Sequence, residues 1–240
     1  MRTLSGQSML QIWEEGQDRP PWARALLLLE AAEPGADRAA LARLPVGERD
    51  TRLLELRATV FGEVLSSLVD CPACGERLEL TFSVGDVRLP APEAGPPFVF
   101  EADDLRVVFR LPDSSDLEAL PPGPGAAEAL LEACVSEVTR GGAAAPLSDL
   151  GAGERAALVA RMGEVDPRAD PRAGMECPGC GHAWSARFDI VSFFWEELGA
   201  WVRRVLAEVH VLARAYGWRE VDVLALSPWR RRQYLGLVRA

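Results

Sequence analysis

The chain has 240 residues, 48% of them hydrophobic and 26% charged, which is enough for a substantial core in one large domain or two small ones. Its formal net charge of −10 argues against nonspecific nucleic-acid binding, which needs a basic face to displace counterions. The longest aliphatic run, Ala25 to Leu29, is too short to cross a bilayer, and Glu14-Glu15 falls where a signal peptide needs apolar residues, so a cytoplasmic protein is expected.

The first stretch reads as helical. Leu10 and Trp13, then Trp22 to Leu29, predict two short helices broken at Pro20-Pro21, with the proline suited to the first turn of the second. From Arg49 to Val69, the residues Leu53, Leu56, Val60, Val64 and Leu68 recur at three- and four-residue steps, the signature of one amphipathic helix. The period then becomes two. Leu78, Leu80, Phe82 and Val84 alternate with polar residues and predict a half-buried strand. Phe98 to Phe100 and Leu105 to Leu111 flank Asp103-Asp104 as a β-hairpin. Pro112 to about Asp170 reads as helical again, broken by Pro121 to Gly125 and by Gly141 to Pro146. Ser148 or Asp149 is the expected cap of the helix that carries Leu158 and Met162.

Further on, Trp184, Ala186, Phe188 and Ile190 alternate as a second strand. A long helix follows from Val191 to Tyr216, with a stripe of Phe194, Leu198, Trp201, Val205, Val209, Leu212 and Tyr216; Gly217 stops it. Two short helices end the chain, the last opening at Ser227-Pro228.

Four of the five cysteines form two copies of one pattern, Cys71-Pro-Ala-Cys74-Gly75 and Cys177-Pro-Gly-Cys180-Gly181. A two-residue gap lets both thiolates of a tight turn face one ion, and the glycine lets the backbone pass beneath it. Two such turns supply the four thiolates of a closed tetrahedral zinc site, with no position left for a substrate. The expected cofactor is therefore one structural Zn2+ per chain, held by Cys71, Cys74, Cys177 and Cys180. By analogy with a disulfide closing a loop of that span, the cross-link removes roughly 4 to 5 kcal/mol of unfolded-chain entropy. Disulfides do not suit a cytosolic chain, and a thioredoxin-type site needs one such motif in a βαβ setting. Neither His182 nor His210 sits in the His-x-Glu element of a zinc deaminase. His182 reads as a neighbour of the site, and Cys134, grouped with Leu130, Leu131 and Val138 on a helical face, as a buried core thiol.

No nucleophile elbow, phosphate-binding glycine loop or His-Glu-x-x-His motif is present, so no enzyme is expected. The C-terminal segment combines Trp218, Trp229 and Tyr234 with Arg230, Arg231 and Arg232, residue types that dominate protein–protein hot spots, and is the candidate partner contact.

Four segments carry a resemblance: Ala25-Leu-Leu-Leu-Leu29, the first cysteine turn and its strand, Phe109-Arg-Leu-Pro112 with Asp116, and the end from Cys177 onward. Together they resemble baseplate proteins of contractile phage tails related to the T-even hub assembly chaperone, in the form found in bacterial phage-tail-like injection systems. The resemblance implies a non-enzymatic assembly factor or structural part of the baseplate or hub. Its partners would be other baseplate, hub or spike proteins, with no nucleic acid and no membrane, and it would lie in the bacterial cytoplasm or in the particle. The alternative is a zinc-ribbon nucleic-acid or transcription-associated module. The fold expected is α+β and mainly helical, with an N-terminal helical region 1–70 and a C-terminal helical region 191–240. Between them, a zinc-ribbon-like β module 71–190 carries a helical insertion at about 113–171.

Overall fold

The computed structural model describes residues 2–93 and 95–239, the last by its backbone alone. In chain order the elements begin with α1 (Gly6–Gly16), α2 (Pro21–Ala32), α3 (Arg38–Ala42) and α4 (Val46–Phe61). The hairpin strands β1 (Val64–Asp70) and β2 (Arg77–Ser83), a single turn α5 (Val84–Val87), and strands β3 (Phe98–Ala102) and β4 (Leu105–Phe109) come next. Helices α6 (Ser114–Ala119) and α7 (Ala126–Cys134) lead into β5 (Val135–Arg140) and the two-residue β6 (Ala143–Ala144). Then follow α8 (Ala152–Val165), β7 (Arg172–Glu176), β8 (Ala183–Arg187), α9 (Ile190–Tyr216), α10 (Glu220–Leu224) and α11 (Pro228–Arg239). Helix predominates over small antiparallel sheets, an α+β fold. The chain separates into two compact units, residues 1–35 with 190–240, and residues 36–189.

The first unit is all helical. Phe194, Leu198, Val205 and Leu212 of α9 are fully or almost fully buried, as the predicted stripe requires, whereas Tyr216 at its end is exposed. Helices α1 and α2 pack on α9, and the ring of Trp13 stacks on Trp195 with centroids 4.9 Å apart. That stack depends on two glycines. A Cβ on Gly16 would overlap the Trp195 ring, and one on Gly199 the Trp13 ring. Arg24 lies over the Trp195 ring, 4.8 Å from its centroid, a cation–π contact. At the far end of α9, Val205, Val209 and Leu212 close over Val223 of α10, with Trp218, Leu224, Tyr234 and Leu235 against them.

The second unit holds three separate sheets. The largest has the order β3-β4-β5-β6, all antiparallel, and its buried face of Leu105, Val107, Phe109 and Val138 packs with Leu131 of α7 and Leu158 of α8. The Phe109-Arg-Leu-Pro turn leaves this sheet. There Arg110 forks onto Asp116 through two hydrogen bonds of 2.6 Å, and Asp116 also accepts from the Asp113 backbone, so the motif ties the end of β4 to α6. The other two sheets are the hairpins β1–β2 and β7–β8.

Three expectations are corrected. The helix read from Arg49 to Val69 ends at Phe61: Gly62 takes φ +94°, and Val64 and Leu68 lie on the exposed face of β1 while Leu65 is buried. Leu and Val at four-residue steps fit either period, and cross-strand pairing with β2 over seven residues decides for the strand. The region from Pro112 to Asp170 is likewise not purely helical. It contains β5 and β6, and Val138 reaches the core from β5, not from a helical face shared with Cys134. Finally, α8 is capped at Gly151, whose N–H donates to the Glu154 carboxylate at 2.8 Å; Ser148 and Asp149 lie in the 3-10 turn before it.

Candidate metal centre

Each cysteine pair sits at the tip of a hairpin, and the two tips are built alike. In the first, Cys71 N–H donates to Glu76 O at 2.8 Å, and Gly75 N–H donates to Cys71 O at 2.8 Å. In the second, Cys177 N–H donates to His182 O at 2.9 Å, and Gly181 N–H donates to Cys177 O at 2.8 Å. Gly75 and Gly181 have φ of +75° and +70°, the left-handed conformation in which a Cβ is strained, which explains why a glycine follows each second cysteine. The ladders place Asp70 opposite Arg77 and Glu176 opposite Ala183, so both turns span the same number of residues.

The two tips meet. All four sulfurs lie within 4.8 Å of one another, with Cys71 Sγ 3.8 Å from Cys180 Sγ and Cys74 Sγ 3.7 Å from Cys177 Sγ. These separations are far longer than a disulfide bond of about 2.05 Å. They match the roughly 3.8 Å edge of a tetrahedron of sulfurs about 2.3 Å from a central ion. Cys71 and Cys177 are buried and Cys74 and Cys180 exposed, so the cluster has an inner and an outer pair. The arrangement is compatible with a four-thiolate metal site.

The thiols differ in acidity. Burial opposes ionisation of Cys71, but the backbone N–H groups of Cys74 and Ala73, with neighbouring thiols, outweigh it and bring the thiol down to about 7. Cys177 is pushed up mainly by burial. At Cys74 the N–H of Glu76 favours the thiolate, yet the Cys180 and Cys71 thiols and burial together raise it. At Cys180 the N–H of His182 and the Cys74 thiol favour the thiolate, yet burial with Cys177 and Cys71 raises it. One thiolate is easily held, while four so close together need a cation among them.

Glu76 closes one side of the cluster. Its Oε2 is 3.6 Å from Cys177 Sγ, and a Cβ on Gly179 would collide with its carboxylate. The difference between the two motifs, Ala73 in the first and Gly179 in the second, is thus the trace in the sequence of a contact that spacing did not reveal. His182 is exposed and stacks on Trp184, with centroids 6.0 Å apart, and is not among the converging groups. Cys134 is a buried core thiol, raised to about 11 by burial.

Behind the tips, the hairpins face each other through Leu80, Phe82, Ala186 and Phe188, and the rings of Phe82 and Phe188 meet edge to face at 5.6 Å. These side chains are half-buried, and a cleft of about 390 Å³ runs between the hairpins.

The C-terminal candidate residues divide into two groups. Trp218 stacks on Tyr216 and meets Tyr234 edge to face, both at 4.8 Å, so these aromatics serve packing. Arg231 is buried, donating from Nε to Glu208 at 2.9 Å and from Nη1 to Leu226 O at 3.2 Å; the sequence places it on a basic face, and the need to pair Glu208 turns it inward. Trp229, Arg230 and Arg232 are exposed.

Among the described residues no helix is long and apolar enough to cross a membrane. No curated protein and no solved structure gives a significant match to the chain. A family model described as T4 bacteriophage base plate protein does match, over residues 26–195, a span that runs from α2 through both cysteine turns into α9 and covers well over half of the chain. The chain belongs to the T4 bacteriophage base plate protein family, and with it to the baseplate proteins of contractile phage-like systems.

Proposed function

We propose that this protein is a non-enzymatic assembly factor or structural component of the baseplate or hub of a contractile phage-tail-like injection system, stabilised by one structural zinc. The observation that carries the reading is the family match, which includes both cysteine turns within its span. Zinc is the ion best suited to four cysteine sulfurs in a tetrahedral setting, and a closed four-thiolate site supports folding and not catalysis. In this reading residues 71–190 act as a zinc-ribbon-like module interrupted by a largely helical insertion. The C-terminal segment contacts other baseplate proteins through its outward residues Trp229, Arg230 and Arg232, of the types that form hot spots.

The test is genetic and chemical. Deleting the gene in the producing bacterium should abolish sheathed particles. Freshly purified, reduced protein should carry one zinc per chain. Normal particles in the deletion strain would refute the assembly role, and metal-free protein would refute the zinc. A shift of DNA or RNA at low salt would favour the alternative of a nucleic-acid-binding ribbon, which the charge of −10 opposes.

A further inference from the structure

The free edge of β1 has no partner strand among the described residues, since its sheet contains β1 and β2 alone. The direction of its backbone groups follows from the ladder. Cys71 N–H donates to Glu76 O at one end, and Val84 N–H donates to Glu63 O at the other. With the continuous register between them, residues 65, 67 and 69 bond to β2, whereas the N–H and C=O of Val64, Ser66, Leu68 and Asp70 point outward. Proteins ordinarily blunt such an edge with charge, proline or a bulge. β1 has none of these before Asp70: its sequence is Val-Leu-Ser-Ser-Leu-Val-Asp, and its register is unbroken. Two large apolar side chains on this edge are left in solvent, Val64 at 59% and Leu68 at 63% exposure.

We infer that the outer edge of β1 is a docking site for an extended, basic and apolar segment of another protein, which adds to the hairpin as a third strand; this deepens the proposed baseplate role and rests on it. A row of outward N–H and C=O groups recognises a strand and nothing else as fully. Val64 and Leu68 supply the apolar positions that alternate side chains of the incoming strand would cover. Asp70 at the end of the edge is neutralised by Arg77 across from it at 2.9 Å, which leaves exposed Glu63 and Glu79 as the unbalanced charges, with Glu79 directly across from Leu68. A second copy of the chain would bring the same acids together, so the fitting partner carries arginine or lysine beside its apolar residues.

Photo-crosslinking from the edge tests the inference. Ser66→p-benzoylphenylalanine, introduced in the producing bacterium, should yield a light-dependent adduct with one segment of another particle protein. A synthetic peptide of that segment should bind the purified, metal-loaded protein. Ser66→Pro removes only an outward N–H and should weaken that binding by about tenfold, with metal content and melting temperature unchanged. Ser66→Ala keeps the N–H and should bind as the parent does. An adduct only with a second copy, no adduct, or peptide binding indifferent to Ser66→Pro would overturn the inference. Particles that form without the gene would instead overturn the baseplate role; particles that need the gene but tolerate Ser66→Pro and give no adduct would overturn the edge alone.

Discussion

The four-stranded sheet and the paired hairpins lie in the same unit of the chain and are held together by different means. The sheet buries Leu105, Val107, Phe109 and Val138 against α7 and α8, so apolar burial gives it a core of its own. The hairpins have only two strands each and half-buried inner faces with a cleft between them, and their fixed point is the cluster of four cysteines at the tips. A two-stranded hairpin is at best marginal in water, so where the side chains do not close a core, the metal cross-link proposed at the cysteines would supply what burial does not. The comparison also separates two kinds of sensitivity: the hairpins should respond to chelators and thiol chemistry, the sheet to cavities.

Metal removal should produce the largest effect. Structural zinc contributes on the order of 10 kcal/mol in small peptides, so Cys177→Ser or a strong chelator should unpair both hairpins. Amide hydrogen exchange would show it, with protection lost in β1, β2, β7 and β8 and kept in β3 to β5. Loss of protection throughout would mean that the two regions fold as one. The converse test is Leu158→Ala in the sheet core, which should cost about 2 to 5 kcal/mol in urea unfolding while bound zinc stays at one per chain.

The helical unit offers a third case, where close approach and not cavity volume is limiting. Gly199→Ala should cost about 1 to 3 kcal/mol by forcing the Trp13–Trp195 stack apart, visible as a change in near-ultraviolet circular dichroism.

Smaller effects should appear in the pH dependence, with opposite signs at two carboxyls of the second unit. Asp116, beside the sheet, is held below its ordinary 3.8, first by the Arg110 hydrogen bonds and despite burial. The stability it contributes is complete above pH 3.8 and lost as pH falls through the lower folded value, so Asp116→Asn should flatten the acid limb of the stability curve. Asp50, on α4, is raised to about 6, chiefly by burial against the opposing influence of Arg49, with Arg187 at the end of β8 and Asp189 just after it as its other charged neighbours. Its folded form keeps a proton that the unfolded chain has released between pH 3.8 and about 6, so its contribution falls as pH rises through that window. Carboxyl NMR should find Asp50 titrating near pH 6; a midpoint at its ordinary 3.8 would show that the site is better solvated than its packing indicates.

The repeated cysteine motif with its trailing glycines can be read directly, because two thiolates and a left-handed turn demand fixed residue types at fixed spacing. The strands after each knuckle and the long helix α9 are legible for a similar reason, since their burial follows a clear period over many residues. At Val64 and Leu68, by contrast, the helix and strand periods coincide, and only pairing with β2 decides between them. Val138 fits a helical face by spacing alone, and its place in β5 follows from β4 lying alongside. Arg231 looks like surface charge because Glu208, which it meets, lies 23 residues earlier in the chain. Local chemistry that repeats within a few residues is written in the order of the amino acids. Strand edges and buried ion pairs depend on which distant segments come together without any repeated motif to announce it, and that is settled only when the whole chain has packed.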